Sequence, residues 1–119
     1  MKVIDTGYII AQKQIKFDWE DNAETIYNRS LEEMIQLFCN SYTSLGSNDI
    51  KSFPQSDDGS FHYGKELDIY SEIKLDKLYR ARDLLNLIRA RTTSSDKFKP
   101  VFFKENDDLF RVKISIEKE

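Results

Sequence analysis

Apolar positions recur at three- and four-residue steps along one long stretch, Ala23, Ile26, Tyr27, Leu31, Met34, Ile35, Phe38 and Tyr42. That period predicts a helix over residues 22–45 with one face buried. Asp21 with Glu24 three residues on reads as a capping box, and Gly46 after Leu45 is a ready stop. A second periodic run, Leu78, Ala81, Leu84, Leu85 and Ile88, predicts a helix over 79–91 with Arg89 and Arg91 in its last turn, where cations complement the helix dipole. Near the C-terminus the pattern switches to alternation. Phe110, Val112, Ile114 and Ile116 fall on one side and Arg111, Lys113, Ser115 and Glu117 on the other, so Val101–Lys104 and Phe110–Ile116 read as a hairpin around Asn106-Asp107-Asp108. Tyr8 to Ile15 reads as a first strand and Phe61-His62-Tyr63 as a short one. Between the long helix and the second strand, residues 47–64 carry Pro54 and Asp57-Asp58-Gly59-Ser60, the signals of a loop. Residues 69–75 follow neither period. The pattern therefore specifies an α+β fold: two helices packed on short strands, with a C-terminal antiparallel hairpin.

Composition narrows this picture without changing it. A chain of 119 residues, 39% hydrophobic and 33% charged, has the make-up of one ordered domain, residues 1–119. No apolar run reaches the length of a membrane span and no signal-peptide pattern opens the chain, so the cytoplasm is the expected compartment. Net charge is -3, but residues 1–73 carry 6 basic and 13 acidic groups against 12 and 8 in residues 74–119. A basic end is compatible with an anionic partner such as a nucleotide diphosphate. The acidic residues interleaved with it favour solvated faces, and nothing supports nucleic acid binding.

Candidate chemistry is sparse. The single Cys39 has no disulfide or metal companion and reads as a small buried hydrophobe. His62 is the lone histidine, which excludes a histidine-based metal cluster within one chain and leaves it as a strand residue or a ligand contact. Asp57-Asp58 lacks a third oxygen-rich partner and reads as a solvated turn. No metal site is expected. Asp5-Thr6-Gly7 reads as a tight turn in which Gly7 supplies backbone freedom.

Taken together, Ile4-Asp5-Thr6-Gly7-Tyr8-Ile9-Ile10-Ala11-Gln12 resembles a segment of the folate-dependent formyltransferases that reads like "GIDTGDIIAQ". The group holds methionyl-tRNA formyltransferase and the N-formyltransferases of amino sugars. The likeness continues through Gln12-Lys13-Gln14-Ile15, Ala23-Glu24-Thr25-Ile26-Tyr27 and Asn86-Leu87-Ile88-Arg89-Ala90-Arg91. Phe61-His62-Tyr63-Gly64-Lys65-Glu66-Leu67-Asp68 and the hairpin look closest to the sugar N-formyltransferases. Tyr8, where the family more often has an acidic or small residue, and Thr93-Ser94-Ser95-Asp96, where it has prolines and aromatics, depart from the pattern.

The resemblance implies the C-terminal portion of a formyltransferase fold lacking most of its Rossmann-like half. It implies Asp5 as a catalytic residue, Thr6 and Gly7 beside the folate, and His62 and Tyr63 near the substrate. In the complete enzyme 10-formyltetrahydrofolate would be the formyl donor and a nucleotide-linked amino sugar the acceptor. The family's catalytic Asn and His belong upstream of the Asp-Thr-Gly turn, where this chain has only Met1 to Ile4. The isolated chain is therefore expected to bind no folate and to be inactive. Its expected partners are a second copy of itself and the missing N-terminal half. Two other readings stay open: a non-catalytic dimerisation or binding module derived from the family, and an unrelated α+β domain in which Asp-Thr-Gly is only a turn.

Overall fold

The computed structural model describes residues 4–47 and 49–119. Residues 1–3 and 48 lie outside the described residues, and with them the lead-in to Asp5 and one position of the predicted loop. In chain order the elements are α1 (Ala23–Gly46), α2 (Glu66–Tyr70), α3 (Ala81–Arg89), β1 (Val101–Glu105) and β2 (Asp108–Val112). The fold is α+β, as the pattern predicts. It divides into two compact units: unit 1 is Met1–Lys16 with Arg29–Phe61, and unit 2 is Phe17–Asn28 with His62–Glu119.

Helix α1 begins one residue later than the capping box predicts. Asn22 Oδ1 accepts from the Thr25 amide at 3.0 Å and Thr25 Oγ1 accepts from the Asn22 amide at 2.9 Å. This reciprocal pair does the work assigned to Asp21 and Glu24, because two orphan amides at the helix start are satisfied at once. Asp21 is buried and instead receives the Thr25 hydroxyl at 2.9 Å, while Glu24 accepts from the amide and hydroxyl of Ser94.

Unit 2 holds the core. Every buried residue among those described lies in it: Asp21, Ser71, Ile88, Thr92, Pro100 and Val101. β1 and β2 pair antiparallel, with Val101 opposite Val112 and Glu105 opposite Asp108. Asn106 (φ 50°) and Asp107 (φ 69°) turn the hairpin in the left-handed region, the geometry of a type I′ turn that matches strand twist. Asp108 thus belongs to β2 and not to the turn. Across the ladder Phe103 and Phe110 stack with centroids 5.2 Å apart. On the other edge of β1 the Phe102 amide donates to Ser71 O at 3.0 Å and the Ile73 amide to Phe102 O at 2.7 Å, a parallel bridge that settles the ambiguous stretch after α2. Thr92 closes α3 onto this layer: its hydroxyl donates to Ile88 O at 2.8 Å and accepts from the Ile114 amide at 3.3 Å. Val112, Ile114 and Ile116 are half-buried and the residues between them exposed, so the alternation holds beyond the last ladder bond.

Several expectations are corrected. Tyr8–Ile15 is not a strand: only Ile9 pairs, exchanging backbone bonds with Phe53 at 2.8 and 3.0 Å. Phe61-His62-Tyr63 is not a strand either. It leads into α2 through a turn in which the Glu66 amide donates to Tyr63 O at 2.9 Å. The apolar stripe of α1 is not buried, and no described residue of that helix is. Cys39 is exposed. Leu78 precedes α3 and is 97% exposed, so only Leu84, Leu85 and Ile88 of the second predicted face turn inward.

Candidate functional site

The sequence-predicted site residues fall into both units. Asp5, Thr6 and Gly7 are in unit 1, His62 and Tyr63 in unit 2. At the turn it is Asp5, and not Gly7, that adopts a left-handed backbone, at φ 62°. Aspartate is among the residues that tolerate this region. No described glycine has a positive φ, and a side chain at Gly7 would meet nothing within 4 Å. The turn is held by Gln55, whose Nε2 donates to Asp5 O at 2.9 Å and to Gly7 O at 2.7 Å. These bonds fix the Asp5–Thr6 and Gly7–Tyr8 peptides and leave the Asp5 side chain exposed. A lone glutamine in a loop about fifty residues away carries no sequence signal for this role.

In unit 2, His62 Nδ1 lies 3.0 Å from Glu66 Oε2, one helical turn on, and the Lys65 ammonium sits 5.6 Å from the centre of the Tyr63 ring. Directly downstream begins a cleft of about 640 Å³ enclosed by unit 2 alone. Tyr27 and Asn28 contribute from α1, Leu67 and Asp68 from α2, and Arg91, Lys97, Phe98 and Lys99 from the link between α3 and β1. Three cations and two aromatic rings thus face one space. That combination suits a ligand with an anionic and a planar part. In the sequence, residues 92–100 read as a polar link. The clue it offered was Arg91 and the Lys-Phe-Lys run lying just outside two regular elements.

Arg89 is spoken for. Its Nη1 donates to Asp18 O at 2.6 Å and reaches Asp21 O at 3.4 Å, and its Nε donates to Asn86 Oδ1 at 3.0 Å. The guanidinium centre lies 4.5 Å from the Trp19 ring and 5.9 Å from Phe17. Arg89 therefore clamps residues 17–21 onto α3. Among the described residues no group of three or more His, Cys, Asp or Glu side chains is placed to hold a metal ion, and no helix is long and apolar enough to cross a membrane.

Comparison with known proteins gives this arrangement a context. Residues 66–118 match the family of the N-formyltransferase dimerization C-terminal domain. The chain is also similar in structure to a 4-N formyltransferase from Francisella tularensis, with a TM-score of 0.87 and 23% identity over 99% of this chain and 48% of that one. A sugar N-formyltransferase from a Shewanella species gives a TM-score of 0.83 and 19% identity over 98% of this chain and 47% of that one. The chain thus spans about half the length of the solved structures it matches.

Proposed function

We propose that the chain is the C-terminal portion of a 10-formyltetrahydrofolate-dependent enzyme that formylates a nucleotide-linked amino sugar: residues 66–118 match the N-formyltransferase dimerization C-terminal domain, and the chain shares the fold of about half of a sugar N-formyltransferase. The match over 66–118 carries this reading. Formyl transfer to an amine needs the amine to lose a proton, the tetrahedral oxyanion to be stabilised and the departing nitrogen to be protonated. Asp5 would handle the proton. Its turn is braced through backbone carbonyls by Gln55, so the carboxylate is free to face a reactant. Thr6 and Gly7 flank it on the folate side. One carboxylate without a histidine and an asparagine beside it cannot complete the cycle, so this chain by itself should be inactive and hold no folate. The cleft of unit 2 is suited to the acceptor: Arg91, Lys97 and Lys99 to a diphosphate, Tyr27 and Phe98 to a base or sugar face, with His62 and Tyr63 at its approach. The fitting compartment is the cytoplasm.

A homodimer follows from the hairpin. One edge of β1 is occupied by the Ser71–Ile73 stretch, whereas among the described residues β2 has no neighbour on its outer edge and leaves Leu109 and Phe110 exposed. An open apolar edge favours a second copy, most simply about a two-fold axis. Light scattering should then report about twice the chain mass of 14.0 kDa.

A second reading, a non-catalytic dimerisation module, draws on the family match lying wholly outside the Asp5 turn. Supplying the complementary formyltransferase half and assaying formyl transfer to an amino sugar nucleotide separates the two. The enzyme reading expects turnover that Asp5→Asn lowers about 100-fold or more with KM little changed. An assembled complex without turnover selects the module.

A further inference from the structure

The Asp5 turn holds a backbone that its own residues do not explain. Asp5 sits at φ 62°, in a region that aspartate tolerates but does not prefer. A residue in that state, left to itself, relaxes to a negative φ and carries its Cβ to another side of the chain. A left-handed residue that bears a reactive group therefore raises the question of what keeps it there.

The restraint begins at Pro54. Proline keeps the residue before it extended, which sets Phe53 to exchange backbone bonds with Ile9 at 2.8 and 3.0 Å. In a continuing antiparallel ladder, Gly7 and Gln55 would be the next pair to exchange such bonds. Among the described residues they do not. The Gln55 side chain takes the place of its backbone: Nε2 donates to Gly7 O at 2.7 Å and to Asp5 O at 2.9 Å. Two carbonyl acceptors at one end of the amide identify that end as the nitrogen and use both of its hydrogens. The residue type matters. An ionised glutamate has no donor and would bring a second carboxylate to the turn, while lysine or arginine would bring a cation beside Asp5. Glutamine reaches both carbonyls and adds no charge. Both bonds are exposed, so they contribute little to folding; what they do is select one backbone conformation at Asp5.

We infer that Gln55 is a positioning residue for formyl transfer: by gripping the Asp5–Thr6 and Gly7–Tyr8 peptides it holds Asp5 left-handed and so aims the carboxylate. The inference rests on the proposed function for the reaction and adds the residue that sets the direction of its carboxylate.

The test has two parts. In the chain alone, NMR should show the Gln55 side-chain hydrogens exchanging with solvent at least threefold more slowly than those of Gln12 and Gln14, which are exposed in the same unit. Equal rates overturn the inference. In the complex with the upstream half of the Francisella tularensis 4-N formyltransferase, supplied with 10-formyltetrahydrofolate and a nucleotide-linked amino sugar, Gln55→Leu should lower kcat about 10- to 100-fold. Both KM values should stay within about twofold and Tm within about 2 °C. Gln55→Glu, of equal length but without the donors, should fall as far. The deciding comparison is Gln55→Leu placed in Asp5→Asn: if Gln55 acts through Asp5, the second substitution costs nothing further. A further tenfold loss there, or a Gln55→Leu complex as fast as the parent, overturns the inference and leaves the enzyme reading standing. A parent complex without turnover overturns both.

Discussion

Units 1 and 2 draw on the same apolar residue types, yet among the described residues only unit 2 encloses any of them. Unit 1 has Tyr8, Ile10, Met34, Ile35, Phe38, Tyr42 and Phe53, all exposed. Unit 2 closes over Val101, at 0% exposure, and Ile88 at 8%. The difference is not hydrophobicity but the means of closure. Unit 2 ties distant segments together with directed polar contacts: Arg89 to residues 17–21, Thr92 between α3 and Ile114, Glu24 to Ser94. Among the described residues, unit 1 has fewer such ties: one backbone bridge, the Gln55 amide, the Arg29 guanidinium donating to Lys16 O, and a Lys13–Glu33 ion pair at 2.9 Å. A surface ion pair of that kind contributes little. Apolar residues without a second layer to meet remain a surface.

Removing the Arg89 clamp should break the contrast most. Arg89→Ala forfeits hydrogen bonds to two carbonyls and a cation–π contact with Trp19, so unfolding free energy should fall by about 3 kcal/mol, with Trp19 fluorescence reporting release of residues 17–21. A denaturant melt checks it, and a loss under 1 kcal/mol would mean that the clamp is ornamental. Next comes a matched pair of truncations. Val101→Ala should cost about 2 kcal/mol, whereas Phe38→Ala, the larger deletion, should cost under about 0.5 kcal/mol in the chain alone. Equal costs would erase the distinction between the units. The smallest loss among the unit 2 substitutions belongs to the cap: Asn22→Ala should cost about 1 kcal/mol, read as lowered helicity and a lower Tm. An unchanged Tm would show that Glu24 and Ser94 hold the helix start without it.

What the sequence disclosed follows the same division. The bounds of α1, the hairpin and the alternation past Val112 were legible because local period and turn chemistry determine them. So was the formyltransferase likeness of the segment from Glu66 onward. Residues 8–15 read as a strand because their pattern is that of a strand, but a strand needs a neighbour, and among the described residues unit 1 supplies only Phe53. The buried face assigned to α1, and Cys39 with it, failed for that reason: periodicity says which residues share a face, not what covers it. Gln55 and Arg89 were missed in another way. Each acts on backbone carbonyls about fifty and seventy positions away, and a carbonyl leaves no mark in the sequence. Gly7 was credited with the freedom that Asp5 uses, since both residue types suit such turns.

The start of α1 also sets an order of events during synthesis. Glu24 reaches its partner Ser94 across 70 positions, and Asp18 receives Arg89 across 71. At about 5–20 residues per second, the ribosome adds those positions in roughly 4–14 s. Through that interval the nascent helix has its Asn22–Thr25 cap but none of the long-range contacts that later hold its first turn, and its apolar stripe leaves the exit tunnel before unit 2 from His62 onward does. For those seconds residues 31–45 are a natural client for a chaperone.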